Sequence, residues 1–188
     1  MAFKGLLSYE LSNKQTQTKM LNKRLEGELN AQLNAELYSA YLYLSMSGYL
    51  ATKNLSGFSN WMKVQFEEEQ FHAMKLFQYI IDRGGRVELA IIDKPQSEWK
   101  GILDIFEDVQ AHEEKVSSMI NNLVDVAMQE KDHATVNMLQ WFVAEQVEEE
   151  ASVSDLLDQL RLLGGQGSGL FLLDREAKQR VFTPPAGA

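Results

Sequence analysis

In FEEEQFHAM, residues 66–74, Glu69 and His72 stand three residues apart. On a helix that spacing puts a carboxylate and an imidazole on one face, about one turn from each other. Such a pair can move protons or hold a cation, provided its face looks into the protein rather than into water. Three more acids, Glu36, Glu113 and Glu149, stand in stretches as apolar as this one. Four carboxylates and one imidazole form a hard ligand set, suited to iron or manganese and poorly suited to a structural four-coordinate zinc. Four carboxylates also suffice for two divalent cations, with Glu69 and Glu149 placed to bridge or share them.

The elements carrying these residues must be long helices. Prolines occur only at 95, 184 and 185, which leaves two long proline-free blocks. Four segments are expected, Leu21 to Thr52, Phe58 to Arg83, Gly101 to Glu130 and His133 to Leu163, with a short fifth from about Gly169 to Val181. A helix of about 30 residues is ~45 Å long, and several of that length in one small domain imply a bundle. NLSG alone separates the first pair and KD the second, so each pair is expected to be an antiparallel hairpin. GGRVELAIIDKPQSEW lies between the second and third segments, shows no helical period and is long enough to run the length of the bundle. The expected fold is therefore all-α: a four-helix bundle with one long crossover plus a short C-terminal fifth helix. Its divisions are an N-terminal extension over 1–19, expected to be mobile, the bundle over 20–163, and a glycine linker, fifth helix and tail over 164–188.

Steps of three and four along each segment trace one core-facing stripe. The first gives Leu25, Leu29, Leu33, Glu36, Ala40, Tyr43, Met46 and Leu50; the second Phe58, Met62, Gln65, Glu69, His72, Leu76 and Tyr79. The third gives Ile102, Phe106, Val109, Glu113, Val116, Ile120, Leu123 and Ala127; the fourth Leu139, Phe142, Gln146, Glu149, Val153, Leu156, Leu160 and Leu163. Each stripe is broken by acid near its middle, and none contains Lys or Arg. One such acid is ordinary at a wet bundle end, and one such histidine is ordinary in a hydrogen-bonded core. Five interruptions at one depth are different, because buried unpaired carboxylates cost several kcal/mol each and raise one another's pKa values. A bound cation resolves that conflict. Glu67 and Gln70 fall on the solvated side.

Composition sets the outer bounds. The chain has 188 residues, 45% of them hydrophobic, which suits one globular domain. A net charge of -9 disfavours nucleic acid or an anionic membrane as partner and suits cations. The absence of cysteine excludes disulfides, thiolate-held metals and cysteine nucleophiles. The N-terminal stretch MAFKGLLSYELSNKQTQTK has no continuous apolar core or small-residue cleavage site, and no later stretch approaches eighteen apolar residues, so a cytoplasmic protein is expected.

From about Met20 onward the sequence resembles the non-haem ferritins of bacteria and archaea, through NAELYSAYLYLSM, FEEEQFHAM, AHEEK and LQWFVAEQVEEE. The resemblance implies a di-iron ferroxidase centre: Glu36, Glu69 and His72 on the first iron, Glu69 reaching the second, and Glu113 and Glu149 completing that second site. Gln146 stands where the wider di-iron pattern has an acid, and Glu149 where it has a histidine, which implies a second site held more loosely. Glu68, Glu145 and Glu148 resemble a neighbouring third site, and Tyr43 and Trp141 the aromatic residues beside the centre. Gln70 stands where haem-binding relatives carry methionine, so no haem is expected. The implied activity is oxidation of ferrous iron by dioxygen or hydrogen peroxide, with ferric mineral stored in a hollow homo-oligomer of about twenty-four subunits. Trp61, Phe71, Met74 and Phe77, outside the stripe, are candidates for subunit faces. Two other readings remain at this level: a di-iron oxidase or peroxidase of the rubrerythrin kind, which stores no mineral, and a purely structural bundle.

Overall fold

The computed structural model describes residues 20–184; the extension expected over 1–19 lies outside them. Its elements are α1 (Lys23–Thr52), α2 (Ser56–Asp82), α3 (Ile102–Gln129), α4 (His133–Leu162) and α5 (Gly167–Ala177). Helices α1 and α2 pack as one pair and α3 and α4 as another, α1 also meets α3, and α5 lies on α2.

Local chemistry sets the helix ends. Asn22 caps α1 by accepting the Arg24 N–H, and Asp132 caps α4 by accepting that of Thr135. Asn54, at φ 60°, turns the chain from α1 into α2, a left-handed position that its short polar side chain tolerates. After α2, Gly84 takes φ 67° and its N–H bonds the carbonyl of Ile81 at 2.9 Å, closing the helix.

The crossover is fastened along α1 by side-chain amides. Asn30 donates to the carbonyl of Arg86 and accepts the N–H of Glu88, and Asn34 does the same with Glu88 and Ala90. Farther on, Ser45 donates to the carbonyl of Gln96 and Tyr49 to that of Trp99. Residue numbers rise together on both strips, so the crossover runs parallel to α1 and delivers α3 to the end where α1 finishes. The bundle is thus up, down, down, up.

Two apolar clusters form the core. One gathers Tyr43, Met46, Met62, Phe106, Val109 and Val153; the other gathers Leu33, Leu76, Val116, Ile120, Leu139 and Phe142. On every long helix the interrupting acid falls between them, so the core is cut into two by a polar layer.

Several expectations need correction. The α4 stripe passes through Leu157 rather than Leu156, and Leu163 is exposed, because the helix ends before another turn can bring it inward. Tyr79 is only partly buried, its hydroxyl bonded to Thr135 and to Arg83 near the bundle end. Trp61 is not on an outer face: at 4% exposure it packs on Phe106, with Arg180 over its ring. Helix α5 starts at Gly167 and stops at Ala177, inside the expected Val181, and the chain then turns back across α2.

Candidate metal centre

The polar layer is built from the middle of each long helix. Glu36, Glu69 and His72 each offer a ligand atom, and those atoms all lie within 4.8 Å of one another. All three residues are buried. Glu36 Oε1 accepts from Gln32 Nε2 at 2.9 Å, while Glu36 Oε2 and Glu69 Oε2 have no hydrogen-bond partner. The imidazole does not supply one, since His72 Nδ1 stands 3.5 Å from Glu69 Oε2, beyond good hydrogen-bond length. Buried oxygens left without partners cost free energy, and this group of three could hold a metal ion that relieves it.

Glu113 and Glu149 lie at the same depth and are held differently. Glu113 accepts the Tyr43 hydroxyl at one oxygen and Gln146 Nε2 at the other, the latter at 3.1 Å. Glu149 Oε2 accepts Gln65 Nε2 at 2.9 Å. Among the described residues neither joins the group formed by Glu36, Glu69 and His72, and no second group of three meets that spacing. Gln146 also donates to Ser117 Oγ and to the Glu113 carbonyl, so it ties α4 to α3.

Burial dominates the electrostatics. It raises Glu36 well above the ordinary 4.5, with repulsion from Glu69 adding to the shift. Glu69 rises likewise, through burial and then the charge of Glu113. Glu113 is pushed up to about 7 by burial and by Glu149, against the hydrogen bonds from Tyr43 and Gln146. Tyr43, buried beside Glu113, is itself held well above its usual value. A divalent cation would reverse this direction, since each carboxylate gains by ionising next to it. The donor set, oxygens with one imidazole, fits iron.

Trp141 stands edge-on to His72 with ring centroids 5.4 Å apart, and Phe71 packs on Trp141. Phe71 is therefore partly engaged inside the chain, whereas Met74 is 56% exposed. Glu68 and Glu145 are part-buried beside the centre and Glu148 is exposed. Burial raises Glu68 to about 7, against the pull of Arg180, and raises Glu145 as well.

The sequence profile of the ferritin-like domain matches residues 26–163, which take in α2, α3, α4, all of α1 but its first three residues, and the whole polar layer. The chain belongs to the ferritin family. The bacterial non-heme ferritin of Bacteroides fragilis is 42% identical over 161 residues, covering 86% of this chain and 100% of the relative. That of Campylobacter jejuni is 40% identical over 159 residues, 85% of this chain and 95% of the relative. Among solved structures, an open pore ferritin from the archaeon Archaeoglobus fulgidus superposes with a TM-score of 0.85 at 52% identity, over 86% of this chain and 99% of that one.

Three further residues of this ferritin chain support the acids of the polar layer or of its edge. Gln32 and Gln65 support Glu36 and Glu149; Gln65 stands in the α2 stripe, a visible signal for such support, whereas Gln32 lies outside the α1 stripe, one turn before Glu36. Arg180 has no such signal. It reaches Glu68 from the tail beyond α5, at 2.6 Å between Nη2 and Oε2.

Proposed function

We propose that this ferritin takes ferrous iron as its substrate, oxidises it in the polar layer and stores the ferric product as mineral inside a hollow homo-oligomer. The observation that carries this reading is the pair of partnerless buried oxygens on Glu36 and Glu69, directed at one space with His72 in a chain of the ferritin family. Glu36, Glu69 and His72 hold one ferrous ion; Glu69 shares a second with Glu113 and Glu149. Tyr43 and Gln146 fix the Glu113 carboxyl, and Gln65 fixes that of Glu149, so both are aimed before iron arrives. Carboxyls held protonated by burial release those protons as iron enters. Two ferrous ions each give up one electron; dioxygen takes the pair with two protons as hydrogen peroxide, or peroxide takes it to give water. Anionic oxygen ligands favour the ferric state and so drive the electron loss.

Glu68, Glu145 and Glu148 form the third position, where iron pauses between the centre and the mineral. The second site, without an imidazole, releases its iron onward rather than keeping it. A cage of twenty-four subunits is the assembly this reading requires, and α5 leaves Phe171 and Leu172 at 62% and 63% exposure for its contacts. No described helix is long and apolar enough to cross a membrane, which accords with a cytoplasmic store.

Anaerobic titration with ferrous iron, followed by oxygen, tests the function. Fast oxidation beyond two irons per chain, with the product retained as soluble mineral, is expected. Oxidation that stops at two irons, with nothing stored, would select the rubrerythrin-like reading.

A further inference from the structure

The tail beyond α5 is pinned across α2 at successive points. Asn60 Nδ2 donates to the carbonyls of Lys178 and Arg180, at 3.3 and 2.9 Å. The Arg180 guanidinium lies over the Trp61 ring, 4.4 Å from its centroid, and Phe182 packs against Phe71 at 5.9 Å. These contacts carry a fixed positive charge to the edge of the polar layer. There Arg180 Nη2 meets Glu68 Oε2 at 2.6 Å, with the Glu68 side chain only 19% exposed. Among the described residues no other Lys or Arg pairs with Glu68 or with any acid of the layer.

The grip is one-sided. Arginine can hold a carboxylate by two parallel bonds, but here Arg180 Nη1 is buried without any hydrogen-bond partner. A single charge-assisted bond, backed by stacking on Trp61, is strong enough to occupy Glu68 and weak enough to give way. Glu68 is part-buried beside Glu149 and Glu145, so a positive charge next to it is favourable.

We propose that Arg180 sets the occupancy of the third iron position: its guanidinium holds Glu68 in place of a metal ion and must swing away before Glu68 can ligate one. This rests on the reading of Glu68, Glu145 and Glu148 as that position. Iron entering the third position exchanges one cation for another, so Glu68 faces a cation both before and after the exchange. The tail thereby keeps the third position weak, and iron placed there is easily displaced by the returning arginine.

Equilibrium titration of the full-length, metal-free protein with Co(II), an air-stable stand-in for ferrous iron, tests the proposal by calorimetry. The unmodified chain is expected to bind a third cation more weakly than two others. In Arg180→Gln the third cation should bind roughly tenfold tighter or more, the scale of one lost competing bond to a charged group. Arg180→Lys, which keeps charge but loses the planar stack on Trp61, should gain less, and it carries the test if the glutamine variant does not assemble. Glu68→Gln should lose the third cation altogether. A third cation no tighter in the Arg180 variants, while Glu68→Gln still abolishes it, overturns the role of Arg180 alone. If Glu68→Gln also leaves it unchanged, Glu68 is not a cation ligand and the underlying reading falls as well.

Discussion

Asp174 of α5 caps α2: its Oδ1 accepts the backbone N–H of Gly57 at 2.8 Å and that of Phe58 at 3.0 Å. Helix α2 has no side-chain cap of its own, since Leu55 stands at its N-cap. Gly57 permits the approach, because a Cβ there would sit 1.5 Å from the Asp174 carbonyl oxygen. Gly57→Ala should therefore lift α5 off the bundle and lower stability by about 1–3 kcal/mol, and Asp174→Ala by about 1 kcal/mol through the lost cap. Denaturant unfolding of the metal-free protein measures both, and an unchanged midpoint in Gly57→Ala would contradict the packing.

Glu69→Ala and His72→Ala should slow rapid ferrous oxidation by about a hundredfold or more, since even supporting residues of metal sites are worth ~10–100-fold in affinity or activity. Assembly should persist, as judged by light scattering, because neither side chain lies on the surface. Stopped-flow rates equal to the unmodified protein at saturating oxygen would remove both residues from the centre.

The pH dependence of the metal-free protein follows from the raised carboxyls. Glu36 and Glu69 stay protonated in the fold well above the 4.5 at which the unfolded chain ionises. Their contribution to stability is therefore complete below 4.5 and is lost as pH rises through the folded values. His112, pushed down to about 4 by burial, acts in the opposite sense, but only between about 6.5 and 4. Glu68 and Glu113, at about 7, have largely spent their contribution by neutrality. Above about pH 6.5, where His112 no longer contributes, the Tm in chelator should thus fall as pH rises, with stability dropping by up to about 1.4 kcal/mol per pH unit for each carboxyl still protonated in the fold. Glu36→Gln should flatten the slope, and a Tm that rises over this range would refute the assignment.

Glu148→Ala and Glu145→Ala should change how much iron each chain passes on, by an expected reduction of the third equivalent, without slowing the first two-iron reaction. Glu148 is exposed and Glu145 part-buried, outside the group formed by Glu36, Glu69 and His72. Loss of the initial reaction in Glu148→Ala would undo this division.

Truncation after Gly165 should weaken the cage and its retention of mineral, and should also lower the stability of each bundle, because Leu173 and Ala177 are buried in the chain's own core. Phe171→Asp with Leu172→Asp separates the two effects: both side chains are exposed, so assembly should weaken while the melt of the single chain is preserved. Size-exclusion chromatography with light scattering reads the first effect, and an unchanged cage in the double variant would show that α5 does not join subunits.

The sequence by itself determined the four long helices and the polar layer, because both are periodic. Leu29, Leu33, Glu36 and Tyr43 must share a face once the segment is helical, and short links such as KD leave a pair of helices no option but to fold back. What the tertiary structure decided are contacts between residues far apart in sequence, where no local spacing constrains the partner. Nothing near Gly57 announces that Asp174 will cap it, and nothing near Glu68 announces Arg180, since both depend on the path of the chain after α4. The end of the α4 stripe, at Leu157 rather than Leu156, was likewise open, because a three-step and a four-step are equally helical and only the packed neighbours choose between them. The destination of Trp61 was decided the same way: an aromatic residue off the main stripe is outside only if nothing folds over it, and here Phe106 and the tail's Arg180 do.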